Sequence, residues 1–134
     1  MRFMLLQDYA PTEVATEFIG AWAPEDAKAH IEFQRRMNDQ LTESGELVDA
    51  QALTGPELAK VVIHDGVGAP VITDGPFPEG KEFLIGFWVV ECDSAERAYA
   101  IAAKASSSPG PGGAPMGNPI EVRPLAGPPE VVDA

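Results

Sequence analysis

The run Phe83-Leu84-Ile85-Gly86-Phe87-Trp88-Val89-Val90-Glu91-Cys92 constrains the fold more than any other part of the chain. Its aromatic and β-branched content gives it the strongest strand character in the sequence. A strand sends alternate side chains to opposite faces, and here both faces carry apolar residues. Each face therefore needs a layer of its own. At 134 residues the chain has the length of one domain, and its own helices must supply at least one of those layers.

Five further segments read as strands or strand fragments. Residues 2–6 (Arg-Phe-Met-Leu-Leu) are a buried-type apolar run, and Leu47 to Leu53 alternates. Lys60 to His64 is β-branched, the turn residues Asp65, Gly66 and Gly68 follow, and Val71 to Thr73 resumes the strand pattern. Ile120 to Leu125 closes the set. Between them lie two helices. Pro24 suits a first helical position and Glu25 and Asp26 suit the positive end of the helix dipole. From there to Ser44, Ala27, His30, Phe33, Gln34, Met37 and Leu41 fall on one face at about 100° per residue, and Gly45 is a natural stop. Asp93 to Glu96 has N-cap spacing and opens a second helix with Ala98, Tyr99, Ile101 and Ala102 as its buried stripe. The stretch 12–22 is ambiguous, since Val14, Phe18 and Trp22 recur every four residues and suggest a short helical excursion. Residues 106–119, rich in Gly, Pro and Ser, read as a mobile or irregular loop.

The order β–α–β–β–β–α–β, with helices separated by strands, leads to a ferredoxin-like α+β domain over residues 1–125 and a flexible tail over 126–134. Two helices cover one face of its antiparallel sheet. Burial of the other face against a second copy, a homodimer, is the economical solution.

Charge removes several functions. Lys and Arg number 9 against 21 Asp and Glu, a formal charge of −12, so neither nucleic acid phosphates nor an anionic membrane finds a basic patch here. One cysteine, Cys92, allows no internal disulfide and fits a cytoplasmic setting. Cys92, His30 and His64 are too few for a Cys/His metal site, and no cofactor motif is present: Gly110-Pro111-Gly112-Gly113 lacks the Lys-Ser/Thr of a phosphate loop.

The segment Asp74-Gly75-Pro76-Phe77-Pro78-Glu79-Gly80-Lys81-Glu82, followed by Phe83-Leu84-Ile85-Gly86-Phe87-Trp88, resembles the Asp-Gly-Pro-Phe (DGPF) signature of YciI-related proteins. The opening residues 1–6, the Gly/Pro loop at 109–113 and Ile120 to Pro124 agree with it in order. The resemblance implies a dimeric α+β barrel of ferredoxin-like protomers and a small-molecule enzyme or binding protein of unassigned substrate. In the wider family a His and Asp pair is proposed as catalytic, and one relative is a hydrolytic dehalogenase. Members with the DGPF signature often have genes beside those of extracytoplasmic-function sigma factors, which implies the alternative of a non-catalytic sensing or regulatory dimer. The chain departs from YciI proper in carrying Ala105-Ser106-Ser107-Ser108 where those proteins have Asp-Pro-Phe.

Four residues are the site candidates. His30 sits mid-stripe on the first helix, where the family's helix-borne histidine stands. It is either a neutral imidazole bonded to a strand carbonyl or a general acid–base. Asp74 either fixes the turn before Pro76 or orients His30. Lys81 is a surface ion-pair partner of Glu82 or caps a pocket and holds a small anionic substrate. Phe77 is a hydrophobic plug or a substrate-binding pocket wall, and His64, at a strand end, reads as exposed and structural.

Overall fold

The computed structural model describes residues 1–75 and 82–131 of the chain. Six strands and two α-helices run in the order β1 (Arg2–Tyr9), α1 (Pro24–Glu43), β2 (Leu47–Ala52), β3 (Lys60–Ile63), β4 (Val71–Asp74), β5 (Phe83–Glu91), α2 (Ala95–Ser106) and β6 (Ile120–Pro124). Four strands form the main sheet in the spatial order β2-β5-β1-β6, with every pairing antiparallel. This is the ferredoxin-like α+β arrangement expected from the element order. β3 and β4 pair only with each other, as a separate hairpin inserted between β2 and β5.

The strand that constrained the sequence most, β5, lies inside the sheet between β1 and β2. Its Trp88 and Val90 join Phe3 and Leu5 of β1, Met37 and Leu41 of α1, and Ala98, Ile101, Ala102 and Ala105 of α2 in one core. Alternation decides which residues these are: on β1, Phe3, Leu5 and Gln7 turn to the helices while Met4 and Leu6 turn away and stay half-buried. On β5, Phe87 and Val89 likewise face away from the core and are half-buried. The helix layer thus covers one face, and an apolar centre remains on the other.

Helix ends follow local chemistry. α1 begins at Pro24 and stops where Gly45 takes φ 78°, which lets Gly45 N–H reach Thr42 O and Glu46 N–H reach Leu41 O, satisfying the last carbonyls. α2 is capped by Ser94, whose Oγ accepts from Arg97 N–H at 3.2 Å. The cap is one residue later than the Asp93 expected. Tyr99, expected in the buried stripe, is exposed, and Ala105 is buried instead, because 98, 101, 102 and 105 follow the helical period and 99 lies off it. Glu46 receives both Nε and Nη2 of Arg97 at 2.8 Å, tying the start of β2 to α2, and this fork holds its carboxyl down at about 2.

Two segments differ from their sequence reading. Residues 12–22 contain no α-helix, only a 3-10 turn at Ile19–Ala21. Side chains there fold onto backbone instead: Tyr9 Oη donates to Thr16 O and Trp22 Nε1 to Glu17 O. Residues 106–119 are irregular as expected, yet well packed. Ser108, Met116 and Asn118 are buried, and Gly110 N–H, Met116 N–H and Gly117 N–H bond back across the loop. Small residues bring little apolar area, but they let backbone approach backbone and satisfy itself internally. No helix among the described residues is long and apolar enough to cross a membrane.

Candidate functional site

A cavity of about 250 Å³ lies between α1 and the main sheet at the end where β2 and β5 run toward the hairpin. Its polar lining comes from His30, Gln34 and Asn38 of α1 and Gln7 of β1. The opposite wall is apolar, with Trp88 of β5, Ala50 of β2 and Leu53 just beyond that strand, and Phe18 and Ile19 also line the cavity.

His30 is buried, and its Nδ1 lies 2.9 Å from the carbonyl oxygen of Pro109. A carbonyl can only accept, so Nδ1 carries the proton and Nε2 keeps a lone pair in the neutral ring. Loss of hydration lowers the His30 pKa below its usual 6.5, and the Pro109 bond opposes that only in part. Trp22 meets the imidazole edge-on at 5.4 Å between ring centres. The Gly/Pro loop therefore positions the histidine. Gly110, next to Pro109, packs closely in this loop: a Cβ there would meet Met116 Sδ at 2.6 Å and Val14 Cγ1 at 2.9 Å.

Asp74 is held elsewhere. It ends β4 on the separate hairpin, its side chain is 72% exposed, and its Oδ1 accepts from Lys60 Nζ across that hairpin. It does not line the cavity. A direct His30–Asp74 bond within the protomer is thus replaced by two others, His30 to Pro109 and Asp74 to Lys60, because β4 pairs with β3 and not with the main sheet. Phe77 and Lys81 lie outside the described residues. His64 is exposed at the hairpin tip, bonding Gly68 O through Nε2 and accepting from Gly66 N–H, as the structural reading expected.

Three contributors were not foreseen. Asn38 accepts from Trp88 Nε1 at 2.8 Å, and Gln34 Nε2 donates to Gln7 Oε1 at 3.3 Å. Their signal was present in the sequence, since 30, 34 and 38 are successive i, i+4 positions on one helix face. The role of Pro109 had no such signal, being a backbone carbonyl 79 residues away. Among the described residues, no group of three or more His, Cys, Asp or Glu side chains could hold a metal ion.

The family model of the YCII-related domain matches residues 1–108, from β1 through the whole of α2. The chain belongs to the YCII-related family. An uncharacterised protein of Rhizobium meliloti (strain 1021) is 30% identical over 106 residues, which cover 79% of this chain and 81% of that one. The YCII-related match takes in His30, the cavity walls and the hairpin, and ends just before Pro109.

Proposed function

We propose that this YCII-related protein is a small-molecule enzyme or binding protein whose ligand enters the α1–β5 cavity and meets His30 as an acid–base group. One observation carries the reading: the buried imidazole has its Nδ1 committed to the Pro109 carbonyl, leaving Nε2 as a lone-pair acceptor on a residue that lines the cavity. A backbone carbonyl fixes the tautomer as a carboxylate would, while adding no charge. The lowered pKa keeps the ring neutral at pH 7, the state in which it can take a proton.

The working unit in this reading is a homodimer. The open face of the main sheet supports it, with half-buried Met4, Leu6, Phe87 and Val89 at its centre and Asp49, Gln51, Glu121 and Arg123 on the outer strands. That is the apolar-centre, polar-rim pattern of a self-associating surface.

A thermal-shift screen of the full chain against a metabolite library, repeated on His30→Gln, tests the ligand reading. Stabilisation by a compound class that is lost in the variant, with its oligomeric state retained, is the expected result. Equal stabilisation of both proteins would remove His30 from the site. Turnover of a stabilising compound would then separate an enzyme from a binder.

A further inference from the structure

The polar groups of the cavity are not interchangeable, because two of them have fixed hydrogen-bonding sense. The indole Nε1 of Trp88 can only donate, so the Asn38 oxygen must accept from it and the Asn38 amide nitrogen is left as a donor. The Pro109 carbonyl can only accept, so His30 must donate from Nδ1 and Nε2 is left as an acceptor. Neither remaining group makes a hydrogen bond to another described residue. Both residues lie on one face of α1, eight residues and hence about 12 Å apart along the helix. Between them Gln34 is engaged with Gln7. That bond uses one end of each amide, so the rail reads acceptor, glutamine pair, donor, and it faces the Trp88 side chain.

No described residue lining this cavity carries a formal charge while His30 is neutral. Moving an ionised ligand group into such a space costs its hydration, with no opposite charge among the described lining residues to offset it. The chain's charge of −12 adds a field that disfavours an anion further.

We propose that the ligand is an uncharged, flat molecule that donates a hydrogen bond to His30 Nε2 at one end and presents a carbonyl to the Asn38 amide nitrogen at the other, with its ring against Trp88. This rests on the reading of the cavity as a small-molecule site and names the chemistry that site selects. It departs from the anionic ligand that Lys81 suggested.

Three probes on the full chain at pH 7.5 decide it: 4-hydroxycinnamamide, its carboxylate counterpart 4-hydroxycinnamate, and cinnamamide, which lacks the phenol donor. Affinities come from titration calorimetry and the site from amide shifts in NMR. The hydroxy-amide should bind about tenfold or more tightly than either comparator, the usual scale for a buried partner left unmatched. Asn38→Asp still accepts from Trp88 but loses its donor, so it should weaken the hydroxy-amide about tenfold. His30→Asn keeps a donor for Pro109, loses Nε2, and should erase the difference between the hydroxy-amide and cinnamamide. If 4-hydroxycinnamate perturbs the cavity residues and binds as tightly as the amide, the inference falls while the small-molecule reading stands. If no probe perturbs them, the inference falls too, and the library screen judges the small-molecule reading separately. Unchanged affinities in both variants would likewise overturn it.

Discussion

The strands of the main sheet and those of the β3–β4 hairpin are written in the same residues and end in opposite surroundings. Leu5 of β1 and Val90 of β5 are 0% exposed, whereas Val62 of β3 and Ile72 of β4 are each 61% exposed. The difference is the layer behind them. α1 and α2 pack on β1 and β5, and no residue of the hairpin belongs to the core they form. β-branched content makes a strand, but only a second layer makes a core. The same partition separates the two polar candidates: His30 travels with α1 into the interior, and Asp74 travels with β4 to the surface.

The largest test of this contrast is stability. Leu5→Ala should cost about 2–5 kcal/mol in chemical denaturation, as buried leucines do. Ile72→Ala should stay within about 0.5 kcal/mol if the hairpin is as open in solution as in the protomer. A cost for Ile72→Ala that grows with protein concentration would break the contrast and show a second copy covering the hairpin.

Assembly comes next. Light scattering at micromolar concentration should give twice the chain mass, and Leu6→Glu, which places a charge at the centre of the open sheet face, should halve it. A monomer mass for the unaltered protein would reserve that face for something other than a second copy.

The third test concerns His30 and pH. Its folded pKa lies below the 6.5 of the unfolded chain, so the unfolded state takes up the proton first as pH falls. Stability is fully present above about pH 6.5 and declines below it by up to about 1.4 kcal/mol per pH unit. The decline ends once pH passes the folded value and both states are protonated. His30→Asn should remove this component of the pH slope, and an NMR titration of the ring should give the folded value directly. A His30 pKa above 6.5 would contradict the buried, neutral ring.

The smallest expected effect is the sharpest discriminator. Asp74→Asn should leave the His30 titration where it is, because Asp74 is engaged by Lys60 and His30 by Pro109. A fall of about one unit or more would mean that a carboxylate reaches the imidazole after all, as it would if the hairpin of one protomer met the helix of its partner.

Much of this protein was legible in the sequence because the relevant physics is local. The α1 stripe, the Gly45 stop, the strand segments at 60–64 and 71–73 and the strand at 83–92 follow from periodicity and backbone preference, which act over a few residues. His30 was legible too, as a polar residue on an apolar face. The irregular path of 106–119 was legible but its close packing was not, since composition reports side-chain area and not how closely backbone can approach backbone.

What the tertiary structure alone decided is who meets His30. The donor-fixing carbonyl is Pro109, from a loop that follows α2, and the far end of the rail is set by Trp88 acting on Asn38 across 50 residues. Neither pairing has a periodic trace, because each depends on how the helices and sheet stack. The sequence by itself determined which segments become strands and helices and which face of α1 turns inward. The packing of those elements determined which hydrogen-bonding groups remain unspent inside the cavity, and it is unspent groups, held in place by their neighbours, that a ligand can use.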